Sequence, residues 1–435
     1  MRDLMMLGAM LVLVPVAFTN GFVAYLLWCW AGLLGPNSFL YGFMTTLPYV
    51  QIFALISLAL LLTRRGKVAN SFSFNSTTAL FCIFFLAAVN SAVLAYEDTP
   101  RNDEIIANIA KTTLFVVMMP LLITSRIKIY ALVVLIAMTL GFHGVLDGLK
   151  FLASAGSHNA RGIPKFGDNN QTALVLSMTI PLALYLARYS ANRWVKLGFA
   201  ATAALLVLSV VSTSSRGGLI TLVSIALWLV IFSKRRVKLL AVLGIICAMV
   251  LALAPDSWKD RMDTVKDAQD DSSFMSRVAV WKKSTAIALE HPFVGGGFNS
   301  VQSTIASAKF DNSEGLLGFV TTPPPERFVA HSIYFQTMGD MGFVGFFVYV
   351  AMLLNSFIVF GRINRLAKSL GPCAKWASDL ASMLAAGIFA FMVGGAALSF
   401  AYSEVPFLIM ALIGALLQVL LRQAQQRTAK ANKKP

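Results

Sequence analysis

Charged side chains are scarce in this chain. Asp, Glu, Lys and Arg make up 13% of its 435 residues, about half the share found in a soluble domain. That scarcity excludes an ordinary soluble fold, and with it the usual reckoning of domain number from length. Acidic residues are the rarer kind: 20, against 36 Lys and Arg, for a formal charge of +16. A basic excess of that size could serve nucleic acid, but no RNA- or DNA-reading motif accompanies it. Only four cysteines occur, Cys29, Cys82, Cys247 and Cys373, all in or beside apolar runs. Their placement excludes a disulfide framework and a cysteine metal site. The chain also lacks a Ser-His-Asp spacing, a P-loop, a metal-ligand spacing, an internal repeat and a low-complexity tract. The adjacent carboxylates Asp270-Asp271 are weak support for a metal. The first apolar run follows Met1-Arg2-Asp3 without a clear small-residue cleavage site, so it reads as a retained anchor.

What fills the chain is hydrophobic, at 57% of residues. A spanning helix needs about 20 apolar residues. Residues 4–34 form a run too long for one straight span, interrupted at Pro15 and Thr19-Asn20-Gly21, and read as one broken element. Further runs cover 47–63, 77–96, 105–124, 129–153, 172–187, 195–212, 217–232, 239–254, 332–360, 376–398 and 405–421. The expected fold is all-α, a polytopic transmembrane helical bundle of about 12 spans.

Basic clusters follow every second element. They are Arg64, Arg65 and Lys67; Arg126 and Lys128; Arg188, Arg193 and Lys196; Lys234, Arg235, Arg236 and Lys238; Arg362, Arg365, Lys368 and Lys375; and Arg422 onward. All fall on one side if the first element counts as one span, which puts both termini in the cytoplasm. The other side receives Glu97, Asp98, Asp103 and Glu104, residues 156–171, the turn at 212–216, and a long polar segment at 255–331. That segment holds ten acids, half of the chain's 20, against eight bases. The expected organisation is an N-terminal transmembrane bundle (1–254), an outward-facing loop domain (255–331), C-terminal transmembrane helices (332–421) and a basic cytoplasmic tail (422–435). Within the loop, Ser272 or Ser273 can cap a helix running to about Glu290. Phe274, Val278, Trp281, Thr285 and Ala288 then share a face, and Pro292 with Gly295-Gly296-Gly297 ends it.

Arginine on the outer side works against the charge bias. Arg216 sits in a short turn at the membrane edge, where headgroup contact or helix capping is the plain reading. Arg161, in His-Asn-Ala-Arg-Gly, reads equally as a solvated loop charge. Arg277 is a helical neighbour of Trp281, and an arginine on a mixed face needs an anion. Together the three suit paired hydrogen bonds to phosphate, which at a lipid–water boundary suggests a diphosphate-bearing lipid. The rival role is pairing with Asp168, Asp147 or Glu404. His331 lies where the loop meets the next span, with Tyr334, Phe335 and Met338 expected on the same inward helical face. A neutral imidazole there can take a proton from a hydroxyl. His143, His158 and His291 are weaker candidates. Lys111 either snorkels to the surface or joins the anion site. The three glycines form either a backbone anion nest or a plain turn.

At these residues the sequence resembles the bacterial O-antigen ligases, a family grouped with O-antigen polymerases and protein O-oligosaccharyltransferases. The resemblance runs through Ser215-Arg216-Gly217, then Arg277…Trp281 with His291-Pro292…Gly295-Gly296-Gly297. It continues in His331-Ser332…Gly339-Asp340-Met341-Gly342…Gly345. Met1-Arg2-Asp3-Leu4, His143-Gly144 and Asp168-Asn169-Asn170 also look like a subgroup termed O-glycosylation ligases. The resemblance implies a GT-C-type glycosyltransferase of the bacterial inner membrane, with its site facing the periplasm and no metal or other cofactor. The implied donor is a glycan on undecaprenyl diphosphate, and the acceptor a sugar hydroxyl of lipid A-core. Arg216 and Arg277 match the family's functional arginines, Arg161 is carried over with them for the diphosphate, and His331 matches its functional histidine. Alternatives are an O-antigen polymerase, a protein O-oligosaccharyltransferase and, outside enzymes, a lipid-linked glycan transporter.

Overall fold

A computed structural model describes residues 1–63, 75–97, 100–233, 272–311, 313, 315–322 and 329–431, with residues 236–237, 240–241, 244–245 and 248. Among them there is no strand. The helices are α1 (Arg2–Thr19), α2 (Gly21–Leu34), α3 (Tyr49–Thr63), α4 (Ser76–Val93), α5 (Pro100–Leu122), α6 (Arg126–Ala153), α7 (Asn169–Tyr189), α8 (Arg193–Ser212), α9 (Arg216–Phe232), α10 (Ser272–Glu290), α11 (Thr304–Phe310), α12 (Ile333–Leu370), α13 (Lys375–Gly394) and α14 (Glu404–Ala431). Nine are long and apolar enough to cross a membrane, and α2, α3 and α9 are shorter apolar helices. The protein is a multi-pass helical membrane bundle, as the apolar runs predict. The expected span at 239–254 is described only at isolated positions. Arg64, Arg65, Lys67, Lys234, Arg235, Lys238, Asp270-Asp271 and the rest of 255–271 lie outside the described residues.

Burial sorts the helices by composition. α7 and α14 are the most enclosed spans. α7 has the lowest hydropathy of the nine spans and buries Thr172, Ser177 and Thr179, polar groups that a bundle interior shields from lipid. α13 packs against α7, α9, α12 and α14, completing the centre. α1 leaves Leu4, Met5, Leu11, Val12 and Phe18 exposed, the surface expected of a helix facing lipid tails.

The first apolar run departs from expectation. It is a hairpin of two helices, not one broken span. Asn20 adopts extended backbone between α1 and α2, and its side chain caps α2 by accepting from Phe22 N–H. The start of α1 therefore returns to the residues that follow α2. Asp3 accepts from the Gly42 and Met44 amides at 3.0 and 3.2 Å, and Arg2 donates to the Tyr41 hydroxyl at 3.1 Å. The other end of the chain behaves differently: Arg422 donates to the Pro120 carbonyl and Arg427 to that of Leu370. Arg2 thus lies with the residues that follow α2, and Arg427 with the end of α12. The turn at Asn20 carries no charge, so a count of basic clusters has nothing there to register.

The polar segment carries a small core of its own, in which Val280, Ile287, Val301, Phe310 and Ala330 pack together. Buried Lys283 reaches from α10 to Ser307 Oγ at 2.6 Å and Asp311 at 2.8 Å. Glu97, just beyond α4, accepts from the Thr304 and Ile305 amides at 3.1 and 3.2 Å.

α12 extends beyond its expected range of 332–360 and is kinked. Gly342 has φ 65° and ψ −169° inside it, a left-handed conformation that suits glycine. The Gly295-Gly296-Gly297 turn docks on this kink: Gly296 and Gly297 donate to the Gly339 and Asp340 carbonyls at 2.9 and 3.0 Å. Those amides are spent on the helix, so the three glycines form the plain turn rather than an anion nest. Buried Asp340 accepts from Tyr402 at 2.9 Å and from the Ser300 amide at 3.3 Å.

Candidate active site

His331 precedes α12 instead of lying on it. Its backbone is left-handed, with φ 45°, a conformation that costs a non-glycine residue about 1–2 kcal/mol. Two contacts hold it there. The His331 amide donates to Ser399 Oγ at 2.7 Å, and the preceding carbonyl, of Ala330, accepts from Trp281 Nε1 at 2.6 Å. His331 therefore does not share the helical face expected for it with Tyr334, Phe335 and Met338, which lie on α12. Tyr334 instead donates to the Met392 carbonyl at 2.9 Å, and Phe335 stacks on Trp281 with centroids 4.8 Å apart.

The imidazole is half-buried, and burial is the main cause that lowers its pKa from the ordinary value. The guanidinium of Arg277 lowers it further, and the carboxylate of Asp168 opposes both. Arg277 and Asp168 thus stand on either side of the electrostatic balance at His331. Arg277 reaches it from α10, which spans Ser272–Glu290, the range expected from its polar start and its Pro/Gly end. Trp281 lies one turn further along α10, packs edge-on to Phe274 and closes over the His331 junction.

Asp168 caps α7, accepting from Gln171 N–H at 2.7 Å. The same helix end gathers the other two arginines' segments. Asn169 donates to the Thr213 carbonyl at 2.8 Å, and Ser215 Oγ bonds Asn170 Oδ1 at 2.7 Å. Ser215 also caps α9 through the Gly218 amide, leaving Arg216 exposed as the first residue of that helix. The loop bearing Arg161, also exposed, is laid against this turn: the Ala160 amide donates to the Ser212 carbonyl at 3.0 Å, and the Ile163 amide to Thr172 Oγ1 at 2.8 Å. Gln171 closes the circuit by donating to the Ser399 carbonyl at 3.4 Å. The N-terminus of α7 is therefore the junction of three segments, carrying Arg161, Arg216 and, through Ser399, His331.

Two of the three rival acids are engaged elsewhere, whereas Asp168 belongs to this site. Asp147 lies near Lys150 and His158, at 3.4 and 3.2 Å, and Glu404 faces Lys165 at 2.5 Å. The other histidines stand apart: His143 stacks on Phe39, and His291 packs edge-on to Tyr96 beside Glu290. Lys111 does not join the arginines but lines a separate cavity of about 400 Å³, whose walls include none of Arg161, Arg216, Arg277 or His331. Among the described residues no three His, Cys, Asp or Glu side chains come together as a metal ion would require. Sequence reasoning missed Ser399 and Gln171. The one signal was the short polar break between the last two apolar runs.

Residues 201–350 match the family described as O-antigen ligase. That segment, about a third of the chain, is similar to the family, and it carries Arg216, Arg277 and His331. Residues 1–191, which carry Arg161 and Asp168, match a family of unknown function (DUF5935). No curated protein matches the chain.

Proposed function

We propose that this chain transfers a glycan from undecaprenyl diphosphate to a sugar hydroxyl of lipid A-core, in the bacterial inner membrane, at a site facing the periplasm. The observation that supports the reading is a half-buried His331 whose pKa is lowered by burial and by Arg277, with Asp168 opposing. The lowered pKa keeps the imidazole neutral near pH 7, so it is free to accept a proton. The acceptor hydroxyl attacks the anomeric carbon, its proton passes to His331, and the carbon–oxygen bond to the diphosphate breaks. The departing diphosphate carries the negative charge, and Arg216 and Arg277, with Arg161 beside them, hold and stabilise it. Attack from the face opposite the leaving group inverts the anomeric configuration. No step calls on a metal or a nucleotide.

The test uses purified full-length protein, lipid-linked glycan and lipid A-core, with and without chelator. Glycosylated lipid A-core of inverted configuration, formed equally in chelator, is the expected product. Loss of product on chelation overturns the metal-free form. Growth of glycan on the lipid carrier instead of on lipid A-core assigns polymerisation, and uptake without product assigns transport.

A further inference from the structure

The cavity that Lys111 lines lies beside the candidate centre and belongs to different residues. It sits between α2, α3, α5 and the start of α14, with Trp28, Gln51, Asn108, Lys111, Lys165 and Glu404 among its walls. At about 400 Å³ it falls within the usual range of small-ligand sites. It shares two chain segments with the His331 centre. Lys165 lies three residues before Asp168, and Glu404 lies five after Ser399. The rings of Phe166 and Phe400, from the same two segments, meet edge-on at 6.2 Å.

The charges of the cavity do not balance. Lys165 and Glu404 answer each other at 2.5 Å. Lys111 is half-buried and reaches the neutral amide oxygen of Asn108 at 3.5 Å, the outer limit of a hydrogen bond. An ammonium drawn partly out of water favours a nearby anion. Around it the walls offer amide and hydroxyl donors, among them Gln51, Asn108 and Thr112. Gln51 and Glu404 lie at the starts of α3 and α14, and Asn108, Lys111 and Thr112 lie two to three turns into α5. The polar, charged start of α5 (Arg101, Asp103, Glu104) puts this part of the helix near a membrane–water boundary, where lipids present phosphates.

We infer that this cavity is a second anion site, built to take a phosphate-bearing headgroup on Lys111. The inference is independent of the glycan-transfer reading. The Phe166–Phe400 contact joins the two chain segments that the cavity shares with the histidine centre.

Binding alone tests it, with no donor glycan and no turnover, so failure here and failure of the transfer reading are distinguishable. The full chain in detergent is titrated with dihexanoyl phosphatidylglycerol, with dihexanoylglycerol, which lacks the phosphate, and with inorganic phosphate. Phosphatidylglycerol is expected to bind about tenfold or more tightly than dihexanoylglycerol, the weight of one charge-assisted hydrogen bond. Lys111→Gln and Lys111→Met, the latter keeping the side-chain stem, should abolish that preference, and Lys111→Arg should keep it. Lys150→Gln, outside the cavity, should leave it unchanged. If inorganic phosphate binds with the same dependence on Lys111, the site recognises free phosphate. If only phosphatidylglycerol does, it recognises a lipid headgroup. Equal binding of the two lipids by the unaltered chain, or an unchanged preference in folded Lys111→Gln or Lys111→Met, overturns the inference.

Discussion

Trp281 donates its indole N–H to the Ala330 carbonyl at 2.6 Å, one residue before His331. The same ring stacks on Phe335 in the first turn of α12. One side chain of α10 thus fixes both the approach to the histidine and the helix that follows it. The two roles are separable. Trp281→Phe keeps an aromatic stack and leaves the carbonyl without its donor, a loss of about 1–2 kcal/mol. Trp281→Ala removes the stack as well and should cost roughly 3 kcal/mol. Thermal unfolding should rank them in that order. Glycan transfer by Trp281→Phe should fall roughly tenfold at saturating substrate, because the histidine junction loses one of its two anchors.

The pH dependence has a definite sign. Burial first, and then Arg277, lower the pKa of His331, and Asp168 opposes them. An unperturbed histidine titrates near ~6.5, so the folded imidazole stays neutral below that value. Transfer should hold steady through pH 7 and fall only on further acidification. Removing the cation by Arg277→Gln should move the His331 midpoint up, and Asp168→Asn should move it down. The chain has four histidines, so histidine-selective isotope labelling gives a spectrum simple enough to follow each one, with His331→Gln assigning the signal. The stability linkage follows the same sign. Because the folded value is depressed, the contribution is present above about pH 6.5 and is lost as pH falls through the folded midpoint.

Ser399 touches the backbone of His331, not its ring, and so acts as a positioning residue. It accepts the His331 amide at 2.7 Å and ties that segment to Gln171. Ser399→Ala leaves the amide without a partner, at about 1–3 kcal/mol, and releases a strained left-handed residue. The rate at saturating substrate should fall roughly tenfold with little change in KM, since the arginines proposed for the diphosphate do not depend on this hydroxyl. Ser399→Thr, which restores the acceptor, should recover most of the rate. Loss of KM and rate together, without rescue by threonine, would mean that the serine only supports the fold.

The bundle is legible in the sequence because apolar runs of span length are hard to reconcile with any soluble fold, and the helix Ser272–Glu290 because polar and Pro/Gly signals flank it. Arg277, Trp281 and His331 are legible through short motifs. What stays hidden depends on contacts across long stretches of chain. Ser399 meets His331 across 68 residues, and Asn170 meets Ser215 across 45. Neither serine carries a charge or a periodic pattern to mark it. The left-handed backbone of His331 is hidden for the same reason, since its partners are chosen by tertiary packing. Lys111 is visible as an oddity, but its cavity exists only once α2, α3, α5 and α14 are assembled.

The docking of the glycine turn on the α12 kink gives a steric prediction. At Gly295, with φ 68°, a Cβ would stand 2.5 Å from the Asp340 carbonyl and from the Gly342 nitrogen. These are backbone atoms that cannot swing aside. Gly295→Ala should cost roughly 2–4 kcal/mol from conformation and overpacking together. Gly198, on an exposed face of α8, has nothing within 4 Å of its Cβ position, so Gly198→Ala should be neutral or stabilising by about 1 kcal/mol. Unfolding midpoints of the two variants give the comparison.

The N-terminal hairpin can be tested in intact membranes. Asp3 accepts from the Gly42 and Met44 amides, and Arg2 reaches Tyr41. A single cysteine at position 2 should therefore be labelled by an impermeant maleimide from the same side as one at 41. A cysteine at 427, near Leu370, should be labelled only from the other side. The background is a chain with its four native cysteines replaced by serine. One continuous broken span would place positions 2 and 41 on opposite faces, and labelling of both from one side excludes it. Asp3→Ala adds an energetic check, since it removes two acceptor contacts from backbone amides and should loosen residues 39–44 at a cost of about 1–3 kcal/mol. If positions 2 and 427 react from the same face, the hairpin is wrong, and the single broken span implied by the charge clusters is right.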